Sequence, residues 1–215
     1  YALKPLPHPA VVSTLDACGA CFDLATTGEV QLVRGQGIAP ERCIHTHPIK
    51  REIDIRNALH EGVTRFVVDN ADEMRKFARH RHQASLLIRI SFRSPDATCD
   101  LSRKFGCEAG AVGELLEMAS RLKLRIDGFS FHIGSQALDP GMYVQAIDVC
   151  KGLLPLAAQH GHELSMLDIG GGFPVDYGST PVDIAAFCAP IRAALARLPR
   201  GLRIIAEPGR FIAAP

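Results

Sequence analysis

The sequence predicts a parallel α/β fold closed into a (β/α)8 barrel. Three observations carry that expectation. Eight apolar runs of strand length recur along the 215 residues, helical patterns fill the intervals, and most runs end on, or are followed at once by, a charged residue, a histidine or a glycine. In a parallel sheet the carboxyl ends of the strands face the ligand, so the third observation predicts a site as well as a fold.

The runs are Tyr1–Lys4, Cys21–Ala25, Cys43–His47, Arg65–Asp69, Ser85–Ser91, Gly128–Ile133, Met166–Ile169 and Arg203–Ala206. They are too apolar to alternate cleanly, as expected of strands buried on both faces. After the fourth run, Asn70-Ala71-Asp72-Glu73 has the spacing of a capping box and opens a helix with Met74, Phe77 and Ala78 on one face. The fifth run leads into the longest irregular stretch, Ser94–Gly110, on the ligand side, where lids and interface elements belong. Leu115, Met118, Ala119 and Leu122 then recur at helical spacing. Asp139-Pro140 reads as N-cap and first turn of a helix carrying Met142, Ala146, Cys150 and Leu153. Gly62 and Gly161 stand where helices end.

Composition narrows the function classes. The net charge is +1 and the basic residues form no run, which argues against nucleic acid or an anionic membrane as partner. No apolar segment approaches the roughly 20 residues that span a bilayer, and no signal peptide is expected. Seven cysteines, an odd number, favour reduced thiols and a cytoplasmic setting. Cys18-Gly-Ala-Cys21 lacks the second pair a zinc ribbon needs, and Cys21 opens an apolar strand, so packing is its expected role. His45 and His47 could share one side of a strand, but no carboxylate cluster accompanies them; no metal is expected.

The strand-end residues Lys4, Asp23, His47, Asp69, Arg89, His132, Gly170–Gly172 and Glu207 should converge on one rim. A lysine in a barrel mouth, near other cations, can lose its proton and form an imine with a carbonyl; a solvated lysine near a terminus is the plainer alternative. The Gly170-Gly171-Gly172 run lets backbone amides approach an anion, or simply makes a tight turn. Gly209-Arg210 adds amides and a guanidinium from the next strand, and two such loops side by side point to a phosphate. Glu207 ends an apolar strand and needs a cationic or proton-donating partner: a protonated cofactor ring, or Arg89 or Arg210 in an ion pair. His132, between Phe131 and Ile133, is either a core imidazole or a site residue.

These residues match a family. Tyr-Ala-Leu-Lys (1–4), Phe-Asp-Leu-Ala (22–25), Gly-Glu (28–29), Leu-Ser-Arg-Lys-Phe-Gly (101–106), Phe-His-Ile-Gly-Ser (131–135), Leu-Asp-Ile-Gly-Gly-Gly-Phe-Pro (167–174) and Glu-Pro-Gly-Arg (207–210) follow one another along nearly the whole chain. In this it resembles the barrel domain of the alanine-racemase-like pyridoxal-phosphate decarboxylases acting on ornithine, lysine or diaminopimelate, and looks most like the ornithine enzymes. The resemblance implies that residues 1–215 form a barrel domain shortened at its amino terminus and lacking the β-domain that follows in family members. It implies pyridoxal 5'-phosphate as cofactor, with Lys4 bound to it as an imine and His132 stacked on its ring. Glu207 would bond the ring nitrogen. Ser135, Gly172 and the Gly209-Arg210 backbone would hold the phosphate, with Gly171 and Pro208 also binding the cofactor. Asp23, Arg89 and Glu29 would orient Lys4 and the ring, and Lys104 would contact the second subunit of a homodimer. Where racemases of this fold carry an arginine, Glu207 favours decarboxylation, and hence a diamine product used in polyamine biosynthesis. Lys4-Pro5-Leu6 departs from the family's more usual Lys-Ala-Asn.

Three other readings remain open at this point. One is a diaminopimelate- or carboxynorspermidine-type decarboxylase. Another is a non-catalytic relative acting as a regulator, like the antizyme inhibitors. The last is a barrel enzyme that forms its imine with a sugar phosphate.

Overall fold

The computed structural model describes residues 1–93, 104–178 and 182–214. Much of the loop expected at Ser94–Gly110 therefore lies outside the described residues. Seven parallel strands form one sheet in chain order. They are β1 (Phe22–Leu24), β2 (Cys43–His45), β3 (Arg65–Val68), β4 (Ser85–Ile90), β5 (Arg125–Phe131), β6 (Met166–Asp168) and β7 (Arg203–Ile205). Eight helices accompany them: α1 (Pro9–Ala17), α2 (Thr27–Gly35), α3 (Glu52–His60), α4 (Ala71–Lys76), α5 (Val112–Leu122), α6 (Gly141–Gln159), α7 (Ile184–Leu195) and α8 (Gly209–Ala213).

The apolar runs mark strands because both faces of the sheet are covered. Along β3, Phe66 and Val68 belong to the large core beneath the helices, whereas Val67 joins Ile44, Leu87 and Met166 in a small inner cluster. The first expected strand is shorter than predicted. Tyr1–Lys4 contributes one bridge, Ala2 to Asp23, with Leu3 N–H donating to Asp23 O at 3.0 Å. Leu6 N–H then bonds back to Leu3 O, and Pro5, which has no N–H, ends any ladder. Among the described residues no backbone ladder joins this segment to β7. The ladder thus runs through seven strands with its two edges not hydrogen-bonded to each other, and the chain ends approach at Gly209, where a Cβ would lie 2.9 Å from Pro5 Cγ and 3.1 Å from Ala2 Cβ.

The helix signals hold with small displacements. Asn70 accepts from Glu73 N–H at 2.8 Å, as half of a capping box. Glu73 does not return the bond. It is buried, accepting from Lys50 N–H at 3.1 Å and pairing with Lys50 Nζ (3.1 Å) and Lys76 Nζ (2.6 Å). Asp139 caps α6 one residue early, its Oδ1 accepting from Gly141 N–H, so Pro140 takes the cap position. Gly62 and Gly161 follow the ends of α3 and α6 at φ +83° and +82°, backbone that favours glycine.

Lys50 is the buried hub of the turn after β2. Its ammonium donates to the carbonyls of His47 (2.9 Å), Pro48 (3.2 Å) and Val67 (2.6 Å), and burial lowers its pKa to about 8. Lys50→Met is expected to destabilise the fold by about 3 kcal/mol in denaturant titration, because Glu73 stays buried with only Lys76 to pair it. A change below ~0.5 kcal/mol would contradict this role.

One expectation needs correction. Cys21 is exposed rather than packed, as is Cys18, because Cys21 lies just before the strand covered by helices begins. The two histidines of β2 do not act together. His45 is buried beside Phe66 with neither ring nitrogen bonded, while His47 lies past the strand end with its ring edge on Phe105. Among the described residues no helix is long and apolar enough to cross a membrane.

Candidate functional site

A cavity of about 740 Å³ opens at the carboxyl ends of the strands. Lys4, Arg89, His132, Ser135, Gly172, Glu207, Gly209 and Arg210 line it, so most residues expected on the rim meet there. Asp23 lies just beneath, buried. Its Oδ1 accepts from the Thr46 hydroxyl, and its Oδ2, without a hydrogen-bond donor, lies 3.5 Å from Lys4 Nζ.

Of the two readings of Lys4, that geometry does not favour depression by neighbouring cations: Asp23 dominates its surroundings and raises its pKa. Arg89 pulls in the expected direction and is outweighed. The proton is shared with an unusual partner, since burial and then the charge of Glu207 push Asp23 up to about 7.

Glu207, which lines the cavity, forms a buried group of three carboxyls with Asp168 and Asp23. Burial and then Asp168 push Glu207 up to about 8, and burial pushes Asp168 to about 6. Like charges packed in low dielectric cannot all ionise, so protons are retained among them at neutral pH. None of the ion pairs among the described residues includes Glu207, which removes the reading of a structural pair with Arg89 or Arg210.

His132 follows β5 and is neutral: burial, then Arg89 and Lys4, lower its pKa to about 3. Its Nδ1 accepts from Gly134 N–H at 3.0 Å, which leaves Nε2 on the side of Gly171, 3.3 Å from where a Cβ there would stand. The glycine run is obligatory for close approach. A Cβ on Gly172, at φ +100°, would lie 1.9 Å from Gly134 O, and one on Gly171 2.4 Å from Glu207 O. The Gly171 carbonyl also accepts from the buried Tyr143 hydroxyl at 2.8 Å.

Ser135 and Arg210 meet at one end of the cavity, Arg210 Nε donating to Ser135 Oγ at 2.9 Å. At the other wall Arg89 stands 5.4 Å from the centre of the Phe105 ring, on whose edge His47 also packs. Asp69 does not reach the cavity. It accepts from Gly106 N–H at 2.8 Å and so anchors the loop that carries Phe105 and the exposed Lys104. Glu29 is also set back, its carboxylate accepting from Ala25 N–H at 2.5 Å at the turn after β1.

Sequence reasoning missed Thr46, Asp168, Phe105 and Tyr177. Asp168 carried the same signal as Glu207, an acid inside an apolar strand. Thr46, Phe105 and Tyr177 carried none, because ordinary loop residues acquire meaning only from what the fold sets beside them.

The donor set suits a phosphorylated aldehyde with a basic ring. An amine, a neutral imidazole and a buried carboxyl line one cavity, whose end holds a hydroxyl, a guanidinium and glycine backbone. Residues 1–214 match the family described as "Pyridoxal-dependent decarboxylase, pyridoxal binding domain". Ornithine decarboxylase of Rattus norvegicus is 39% identical over 100% of this chain and 47% of its own length. A lysine/ornithine decarboxylase from Vibrio vulnificus, solved with putrescine, superposes with a TM-score of 0.91 at 50% identity, covering 99% of this chain and 56% of that one. The arginine decarboxylase of Paramecium bursaria Chlorella virus, solved with agmatine, has a TM-score of 0.91 at 31% identity over 99% of this chain and 57% of its own. The chain thus spans about half the length of the relatives it matches.

Proposed function

Because the chain belongs to the pyridoxal-dependent decarboxylases, we propose that it holds pyridoxal 5'-phosphate for removal of the carboxyl group of a basic L-amino acid, ornithine or lysine. The product would be carbon dioxide and a diamine. One observation carries the reading: Lys4 and Glu207, from opposite ends of the sequence, face the same cavity with His132 beside them.

When bound, the cofactor supplies an aldehyde for amine capture and a protonated ring that absorbs the electron pair left by the departing carboxylate. The residues prepare for both. Lys4 is the holding amine, and Asp23 Oδ2, 3.5 Å away with a pKa of about 7, takes the proton from Nζ that capture requires. Glu207, lining the cavity, would hold the ring nitrogen. Its raised pKa means that a buried cation is the partner it lacks, and the ionised carboxylate then keeps that nitrogen protonated. His132, uncharged, offers a stacking face without competing for the electron pair. Ser135, Gly171, Gly172, Pro208, Gly209 and Arg210 receive the phosphate. Arg89 and Glu29 act on the Lys4–Asp23 pair through their charge, and Lys104 stands exposed for contact with a second copy in a homodimer.

The test is release of carbon dioxide from carboxyl-labelled ornithine, lysine, arginine and diaminopimelate, supplied separately with the cofactor. Ornithine or lysine is expected to give the greatest release. Cofactor uptake without release from any of the four would sink the catalytic reading in favour of a regulator.

A further inference from the structure

Gln136 is one of two non-glycine residues among those described with left-handed backbone, at φ +56°. A side chain there is disfavoured, so something must hold it. Its carboxamide makes a reciprocal pair with the backbone of Val175: Nε2 donates to Val175 O at 3.0 Å and Oε1 accepts from Val175 N–H at 2.8 Å. The next residue adds a third bond, Ala137 N–H to Gly172 O at 3.0 Å. Three hydrogen bonds therefore lash the loop after β6 to the loop after β5.

The lashing has a result two residues on. Tyr177 lines the cavity, and its hydroxyl oxygen accepts from Arg210 Nη1 at 3.1 Å while Nε of the same guanidinium donates to Ser135 Oγ. An oxygen that accepts from a guanidinium keeps its own O–H for another acceptor. Arg210 thereby leaves two hydroxyl donors, one from each loop, beside its own positive charge. We infer that Tyr177 is an anion-binding residue of this site, donating its hydroxyl to the phosphate of the bound compound, and that Gln136 is the positioning residue that places it. This rests on the cofactor reading above and adds to it two residues that the family resemblance did not supply.

Binding, rather than turnover, tests the inference. The purified protein, stripped of cofactor, is titrated calorimetrically with pyridoxal 5'-phosphate, with inorganic phosphate and with pyridoxal, which lacks the phosphate. Tyr177→Phe removes only the O–H. It is expected to weaken both phosphate-bearing compounds about tenfold, the loss of one hydrogen bond to a charged group, and to leave pyridoxal unchanged. Gln136→Gly relieves the backbone but cuts the lashing, and should reproduce the same selective loss in a protein that melts no lower than wild type. Unchanged phosphate affinity in Tyr177→Phe, or an equal loss for pyridoxal, overturns the inference while wild-type uptake of the cofactor leaves the functional reading intact. A wild-type protein that takes up neither phosphate compound overturns both.

Discussion

Replacing Lys4 with alanine is expected to lower kcat/KM by at least ~10³-fold, because no other described amine lines the cavity to hold an aldehyde. The fold should barely notice. The Lys4 side chain is 51% exposed and Asp23 only 2%, but Asp23, with a pKa of about 7, can keep its proton when the ammonium is removed, so the cost should stay at about 1 kcal/mol. Phosphate-end binding is also expected to survive, since Ser135, Gly172 and Arg210 stand apart from Lys4. Borohydride treatment, which fixes a lysine-bound aldehyde as a stable amine, checks the assignment. It should label the Lys4 peptide of the wild type and nothing in the variant. Label on another lysine, or activity within tenfold of wild type, would show that the amine has been misassigned.

Glu207→Gln separates activity from stability. Turnover is expected to fall by about 10²-fold, the usual loss when one charge-stabilising group is removed. Stability should move the other way. The folded pKa of Glu207, about 8, lies above its ordinary 4.5, so the folded state binds the extra proton. The group's contribution is therefore fully present below pH 4.5 and is lost as pH rises through 8. Glutamine cannot ionise, so the cofactor-free variant should melt higher than wild type at pH 8, with the gap closing toward pH 5. Thermal melts across that range read the difference directly. A variant that melts lower at every pH would show that Glu207 has a favourable partner after all, and the crowded-carboxyl account would fall.

Much of this was legible beforehand, for identifiable reasons. Strands covered on both faces leave unbroken apolar runs, and the residue that ends such a run must turn toward the ligand side; this is how Lys4, His132 and Glu207 could be singled out. Tyr1–Lys4 was overread as a full strand because its apolar character reports burial, whereas Pro5 decides whether a ladder can form. The direction of the Lys4 shift was left open because it depends on which charge stands nearest, and Asp23 is brought to 3.5 Å only by the bridge between two segments distant in sequence. Glu73 was read as a capping residue from local spacing; a buried lysine supplied by the previous loop claimed it instead. The clamp between Gln136 and Val175 is likewise a tertiary event, since neither residue type marks its role in the chain.

Lys4 is synthesised before Glu207, and all seven strands of the sheet are made between them. At usual elongation speeds the nascent polypeptide then waits on the order of tens of seconds before the halves of its pocket can meet. Throughout that interval Lys4 has neither its acid opposite nor the anion-receiving loops, so loading with cofactor would follow translation of this region rather than accompany it.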